Sequence, residues 1–245
     1  MRLNIFSYNI RGLPIFPDSW SSPLVDWFDD SNYDIICLQE VFTIGRIKML
    51  SDSLLKNNYT VVKPNDFAAR SNLLSSGLLT AVRKDVWEIL DEGFQYYIES
   101  TPFENITNKG FHWLNIINKK TKTPLTIVNT HMQADNPINV VSGCLDTRPI
   151  RRSQAEQIIK QLKNVQNHLI IGDINSECEP HEDFLYLTGN NYGIKKHTFI
   201  ETGEDLDHIA IIPKFTRNNP IAKQISVLTK ILWSDHWPIF VILEL

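Results

Sequence analysis

Most apolar positions in this chain fall in short runs of strand length, separated by polar turns. Residues 3–10 read as a strand, and residues 35–39 as a near-continuous apolar strand of the kind that is buried on both faces. Residues 59–62 and 77–82 add two more. Residues 113–117 and 125–130 flank the polar stretch 118–123, which is a hairpin signal. Residues 168–171, 208–212, 225–228 and 237–243 complete the strand-like set. Helical spacing is rarer. Ser21-Ser22-Pro23 followed by Leu24, Trp27 and Phe28 predicts a short helix with proline near its start. Ile47, Leu50, Leu54 and Leu55 predict a helix over 45–56, and Ile150, Ile158, Ile159 and Leu162 one over 149–162. The aromatic-rich stretch 87–111 fits a hairpin without clear boundaries. Strands outnumber helices, and hairpins alternate with helical crossovers. That predicts two sheets packed face to face and flanked by helices.

The polar residues at the ends of these runs carry more information than the runs themselves. Asn9 follows the run 3–6, Glu40 follows 35–38, and His131 follows 125–128. Asp173 and Asn175 follow 169–171, and Ser234-Asp235-His236-Trp237-Pro238 precedes 239–243. Charged groups seldom abut a strand that must be buried, so something has to hold them there. Carboxylate and amide oxygens suit a hard divalent cation. A carboxylate or imidazole can activate water, and neutral or cationic donors can stabilise charge on a phosphorus centre. Strand ends supplying each of these groups point to metal-assisted phosphoester chemistry.

Bulk composition narrows this only slightly. The 245 residues carry no long Gly, Ser or Pro linker, no repeat and no low-complexity tract, so one domain over 1–245 is expected. Hydrophobic content of 42% and charged content of 21% are ordinary for a globular protein. A net charge of −4 argues against a broad basic face for nucleic acid, although a metal can supply positive charge locally. Cys37, Cys144 and Cys178 are too few and too scattered for a disulfide framework or a zinc signature, and Cys37 reads as a core residue. The N-terminus does not read as a signal peptide, and no run reaches the ~20 apolar residues of a membrane span. An intracellular location is therefore expected.

Six motifs occur in order: Tyr8-Asn9-Ile10, Leu38-Gln39-Glu40-Val41, Asn129-Thr130-His131, Gly172-Asp173-Ile174-Asn175, Leu206-Asp207-His208-Ile209 and Ser234-Asp235-His236-Trp237-Pro238. Each is short, but together they span residues 8–238 and resemble the motif series of the endonuclease/exonuclease/phosphatase (DNase I-like) superfamily. The resemblance implies a four-layered α/β sandwich, with two mixed sheets between flanking helices. It also implies a Mg²⁺-dependent phosphoesterase in which Mn²⁺ can substitute. Carried over by position, Glu40 resembles the main metal ligand, Asn9 the amide beside metal and phosphate, and Asp235 a second acid near the metal. Asp173 resembles the residue that orients or deprotonates water, Asn175 a donor to phosphate, and His131 the histidine near the scissile phosphate. His236 resembles the catalytic histidine, with Asp207 as its carboxylate partner.

Further segments resemble the neutral sphingomyelinase branch: Asn108-Lys109-Gly110, Thr130-His131-Met132-Gln133-Ala134-Asp135 and Ile150-Arg151-Arg152-Ser153-Gln154. They nominate Lys109 and Arg151 as substrate-binding residues. A phospholipid-headgroup diester is the expected substrate. A DNase I-like nuclease and a phosphatase on inositol phosphates or nucleotides are the alternatives, and nucleic acid is not favoured as a partner. Two segments are candidates for peripheral membrane contact. One carries Phe94, Tyr96, Tyr97 and Phe103; the other is the loop 13–17 with Trp20.

Overall fold

A computed structural model describes residues 1–29, 32–66, 74–135, 146–188, 197–216, 219–229 and 234–245. Cys144 and the side chain of Trp20 lie outside this description. Two six-stranded sheets form the centre. The first runs in the order β11 (Ile221–Val227), β12 (Ile239–Glu244), β1 (Arg2–Gly12), β2 (Ile35–Val41), β4 (Leu79–Arg83) and β3 (Tyr59–Val62). The second runs β5 (Trp87–Tyr96), β6 (Gly110–Asn118), β7 (Pro124–His131), β8 (His168–Asp173), β10 (Asp207–Ile211) and β9 (Leu185–Tyr186). Each sheet has one parallel pair at its middle, β1 with β2 and β7 with β8, and its other pairings are antiparallel. Helix α1 (Ser22–Asp29) connects the first parallel pair and α3 (Arg148–Leu162) the second, while α2 (Ile44–Lys56) follows β2.

The period-two alternation of each strand builds three apolar layers. Leu3, Ile5, Ile35 and Cys37 of the first sheet meet Leu125, Ile127, Leu169, Ile171 and Ile209 of the second. The alternate residues of the first sheet, Phe6, Tyr8, Ile36 and Leu38, pack with Leu24, Phe28, Leu50 and Leu54 of α1 and α2. Val128, Ile170 and Ala210 pack with Ala155, Ile158 and Leu162 of α3. Helix, sheet, sheet, helix gives the four layers expected from the motif series.

The inter-sheet layer changes character along the strands. Leu3 and Ile5 give way to Ser7 and Asn9, Ile35 and Cys37 to Gln39, and Leu125 and Ile127 to Asn129 and His131. Leu169 and Ile171 give way in the same way to Asp173. Gln39 Nε2 donates to Asn129 Oδ1 at 2.9 Å. Asn129 Nδ2 lies 3.1 Å from the Leu79 carbonyl, 3.1 Å from Thr80 Oγ1 and 3.3 Å from the Leu38 carbonyl. This buried amide bolts one sheet to the other just below the polar end. Gly172 is required beside it. Its φ is +143°, and a Cβ there would lie 2.0 Å from the Thr130 carbonyl of the neighbouring strand.

Three expectations shift. The last strand begins at Ile239 rather than Trp237, because Pro238 has no N–H to pair and Trp237 N donates instead to the Thr198 carbonyl at 2.6 Å. Strand β11 starts at Ile221, four residues before the expected start at 225. A register shift between Ala222 and Gln224 breaks the alternation there. Tyr97 is not a membrane-facing residue. Its side chain is buried against Phe111, with a 2.5 Å hydrogen bond between its hydroxyl and Thr130 Oγ1.

Candidate active site

Parallel and antiparallel pairing put the C-terminal ends of β1, β2, β7 and β8 at one end of the sandwich, with the N-terminal ends of β4, β6, β10 and β12. The motif residues collect there. A cavity of about 530 Å³ opens between the sheets at this end, lined by Asn9, Glu40, Lys109, His131, Asp173, Asn175, Asp235 and His236 among others. Asp207, fully within the protein, lies behind it.

Strict alternation would send Glu40 to the helix side with Ile36 and Leu38. A φ of +59° turns it into the inter-sheet end instead. Such a conformation in a non-glycine residue costs about 1 kcal/mol or more and persists only where the surroundings impose it. Asn9 imposes it in part. Its Nδ2 donates to Glu40 Oε1 at 3.0 Å and to Asp173 Oδ2 at 2.9 Å, joining the two sheets. The Arg11 amide donates to Asn9 Oδ1 at 3.0 Å and fixes the orientation of that side chain. Burial pushes the Glu40 carboxyl above its ordinary value, against the pull of Asn9 and His236.

Asp173 ends β8 on the second sheet. Its Oδ1 accepts from the Asn175 amide at 2.9 Å, and Asn175 takes a left-handed φ of +54°, which asparagine tolerates. Burial raises the Asp173 carboxyl to about 7, with Asp207 adding to the rise and His236 and Asn9 opposing it. His131 Nε2 lies 3.7 Å from Asp173 Oδ2 and 4.0 Å from Glu40 Oε1. Burial, with Lys109 and His236 nearby, holds its imidazole well below the usual value, so it is neutral at physiological pH.

His236 Nδ1 and Asp207 Oδ2 are 2.7 Å apart, although 29 residues separate them. His236 Nε2 is 3.6 Å from Asp173 Oδ2, so the ring sits between two carboxylates. Burial alone would lower its pKa; Asp207, Asp173 and the hydrogen bond to Asp207 outweigh that and raise it to about 10. Asp173, Asp207 and His236 bring potential ligand atoms within 4.8 Å of one another. Asp207 and His236, however, spend that proximity on their own hydrogen bond. Asp235 is held elsewhere: its Oδ2 lies 3.1 Å from Arg11 Nε.

The structure brings the eight nominated catalytic and metal residues together and places Lys109 and Arg151 at the cavity wall, but neither cation is free. Lys109 Nζ is 2.5 Å from Glu104 Oε2 and 2.5 Å from the Met132 carbonyl. Arg151 makes a two-pronged contact with Asp135, at 3.0 and 3.1 Å. Sequence reasoning gave no role to several residues that shape the site. Ser234 Oγ donates to the Asn9 carbonyl at 2.7 Å and accepts from the His236 amide at 3.1 Å. Thr198 Oγ1 accepts from the amides of Leu206 and Asp207, and the Phe199 ring lies 5.0 Å from the His236 ring. Ser234 could have been found from its place before the Asp-His pair. Thr198 and Phe199 carry no comparable signal.

Comparison with known proteins follows the same lines. No curated protein matches the sequence. Among solved structures, the endonuclease/exonuclease/phosphatase from Bacteroides vulgatus is 20% identical, with a TM-score of 0.75 over 100% of this chain and 99% of that one. A beta toxin from Staphylococcus aureus with bound magnesium ions is 20% identical, with a TM-score of 0.71 over 98% and 99%. D. rerio TDP2 complexed with single strand DNA product is 13% identical, with a TM-score of 0.73 over 100% and 99%. At these identities the likeness speaks to the fold. The sequence model of one family matches residues 6–237, which takes in the whole constellation from Asn9 to His236, and the chain therefore belongs to the Endonuclease/Exonuclease/phosphatase family.

Proposed function

We propose that this protein is a Mg²⁺-dependent phosphodiesterase whose preferred substrate is a phospholipid-headgroup diester. The observation that carries the reaction is the meeting of Glu40, Asn9 and Asp173 beside the His236–Asp207 pair. The carboxylates of Glu40 and Asp173 meet on either side of the Asn9 amide, and carboxylate oxygens fit a hard divalent cation. They also leave an excess of negative charge that a cation would relieve. Glu40 would hold the ion, and Asn9, whose Nδ2 faces Glu40 and Asp173, would fix that carboxylate in place. Asp235, bound to Arg11, lends charge rather than an oxygen in this reading. When bound, the cation neutralises the phosphate and stabilises the leaving oxygen.

The chain's own groups divide the remaining work. Asp173, raised to about 7, is suited to take a proton from the attacking water near neutral pH. His236, raised to about 10, enters the reaction as an imidazolium and balances the growing negative charge. His131, held neutral, donates a hydrogen bond to phosphate oxygen, as does Asn175.

Two features favour a lipid headgroup over a polynucleotide. Lys109, Arg148 and Arg151, the lysine and arginines of the cavity wall, are each engaged by a carboxylate of the chain, Glu104, Asp146 and Asp135 respectively. Among the described residues of the cavity wall, little cationic charge remains to hold flanking phosphates, which dominate nucleic-acid affinity. In addition, the exposed apolar residues Ile15, Ile98, Phe103, Ile106 and Ile200 lie in the connections at the site end, and the exposed Ile44 opens α2 there, as a lipid-facing rim would. No helix among the described residues is long and apolar enough to cross a membrane. Contact with lipid would thus be peripheral.

The test is a side-by-side assay on bis(4-nitrophenyl) phosphate, sphingomyelin vesicles, plasmid DNA and inositol phosphates, in Mg²⁺ and in chelator. Metal-dependent diester hydrolysis with sphingomyelin ahead of DNA is expected. Glu40→Gln should lower it by about 10²-fold or more while the protein stays folded. Plasmid nicking with intact lipid would replace the lipid reading by the nuclease one. Full activity in chelator would remove the metal.

A further inference from the structure

Arg151 stands at the cavity wall with its charge already committed to the protein, and what it holds leads back to the site. Its Nη1 donates to the Gln133 carbonyl at 3.1 Å and to Thr147 Oγ1 at 2.8 Å, and both Nη atoms contact the Asp135 carboxylate. Gln133 is fully buried and is gripped from both sides. Its amide donates to Gln154 Oε1 at 3.0 Å, and its Oε1 accepts from the Thr101 amide at 2.9 Å. The segment 132–135, which leaves β7 just after His131, is therefore clamped between α3 and the β5–β6 connection. Met132 begins that segment. Its carbonyl accepts two hydrogen bonds, from Lys109 Nζ at 2.5 Å and from Asn175 Nδ2 at 3.1 Å. One oxygen thus sets the position of two side-chain donors drawn from different loops.

We propose that Arg151 is a positioning residue rather than a substrate contact: with Asp135 it locks the strap 132–135, so that the Met132 carbonyl aims Lys109 and Asn175 together at the phosphate. This rests on the phosphodiesterase reading above. Asn175 spends one N–H on the carbonyl, and Lys109 one on the carbonyl and one on Glu104, so each retains one for substrate. Donors that stabilise a transition state must be placed to a fraction of an ångström, and a shift of about 1 Å transmitted from a distance can cost about 10²-fold in rate. The guanidinium adds a second, parallel contact from Nη2 to the carboxylate that Nη1 already touches, a rigid fork that a single ammonium nitrogen does not reproduce.

The alternatives differ in sign. Arg151→Ala and Asp135→Asn are measured on bis(4-nitrophenyl) phosphate in Mg²⁺, with thermal unfolding as the folding control. The strap predicts that kcat falls about 10- to 100-fold in Arg151→Ala, and less in Asp135→Asn, with KM within about 3-fold in both. The double variant should be no worse than Arg151→Ala alone, because the two act as a unit. Arg151→Lys should recover only part of the loss. If Arg151 instead binds substrate, Arg151→Ala raises KM, and Asp135→Asn lowers it by freeing the guanidinium. Either KM result overturns the proposal. A readout independent of turnover is the side-chain amide signal of Asn175 in a ¹⁵N correlation spectrum. It should move in both single variants, and an unmoved signal also overturns the strap. Should Arg151→Ala fail to fold, Asp135→Asn carries the test. Should the wild-type protein hydrolyse no diester, the functional reading fails while the amide signal still decides the strap.

Discussion

His168 offers the sharpest physical test of the structure, because it titrates far from any candidate metal ligand. It opens β8 at the end of the sandwich opposite the site and is 1% exposed. The Ile212 amide donates to its Nε2 at 2.9 Å, so that nitrogen must carry a lone pair. Nδ1 then bears the proton and donates to the Val165 carbonyl at 3.3 Å. Protonating the ring would set an N–H against the Ile212 N–H inside an apolar layer. Burial accordingly lowers its pKa from 6.5 to about 4, with only the Val165 contact pulling the other way. A base whose folded-state pKa lies below its unfolded value binds more protons when unfolded. Stability therefore falls as pH drops below 6.5 and levels off below about 4. The full difference is about 3 kcal/mol. Urea unfolding of the wild-type protein and of His168→Gln at several pH values between 7.5 and 4.5 isolates this contribution, because the glutamine can accept the Ile212 amide but does not titrate. The wild-type protein should lose about 2–3 kcal/mol relative to the variant across that range. A difference that stays constant with pH would refute the neutral, buried histidine. Comparison within the pair is essential, because Asp173, whose carboxyl is raised, contributes with the opposite sign.

Asp207→Asn should lower kcat by about 10²- to 10³-fold in protein that is still folded at the assay temperature, since it removes the carboxylate that orients His236. Because Asp207 helps raise His236 to about 10, its loss lowers that pKa, and the deficit relative to wild type should widen as pH rises from 6 to 8. A parallel pair of pH–rate profiles would count against the imidazolium. Asn129→Ala should destabilise the fold by about 2–4 kcal/mol in urea unfolding, because it strands buried partners on both sheets. A loss under about 1 kcal/mol would mean that the inter-sheet bolt carries little.

Period-two alternation made Asn9, His131 and Asp173 legible before any coordinates, because each continues the inward face of its strand beyond the apolar stretch. Glu40 breaks that rule. Its place in the site depends on a left-handed backbone that alternation cannot express; its position after the run 35–38 and the motif pointed to the residue, not to its direction. The Asp207–His236 pair was legible as two motifs, but their meeting needed the antiparallel placement of β10 and β12 beside β8 and β1. Lys109 and Arg151 were legible as residues, but the carboxylates that engage them, Glu104 and Asp135, were not, because they lie outside the periodic strands and helices. The connection 97–109 stayed opaque for the same reason. Its order comes from scattered side-chain bonds, such as Gln133 with Thr101, which leave no periodic trace. Arg46 is a further case. It shares the i, i+4, i+8 face of Leu50 and Leu54, and it is buried and donates to the carbonyls of Phe16 and Pro17, tying down the loop after β1.

The amide of Asn9 also sets a timetable. It bridges residues 164 positions apart when it reaches Asp173, and Ser234 closes back on Asn9 across 225 positions. Contacts of such span carry a large loop-closure cost and form late on the way to the native state. Helices and hairpins can form from nearer neighbours, but β12 must return to β1 across nearly the whole chain to complete the first sheet. The site exists only once the two halves have docked in register. Recovery of far-ultraviolet dichroism during refolding would then precede recovery of turnover, with the lag measuring how long the two sheets take to find each other.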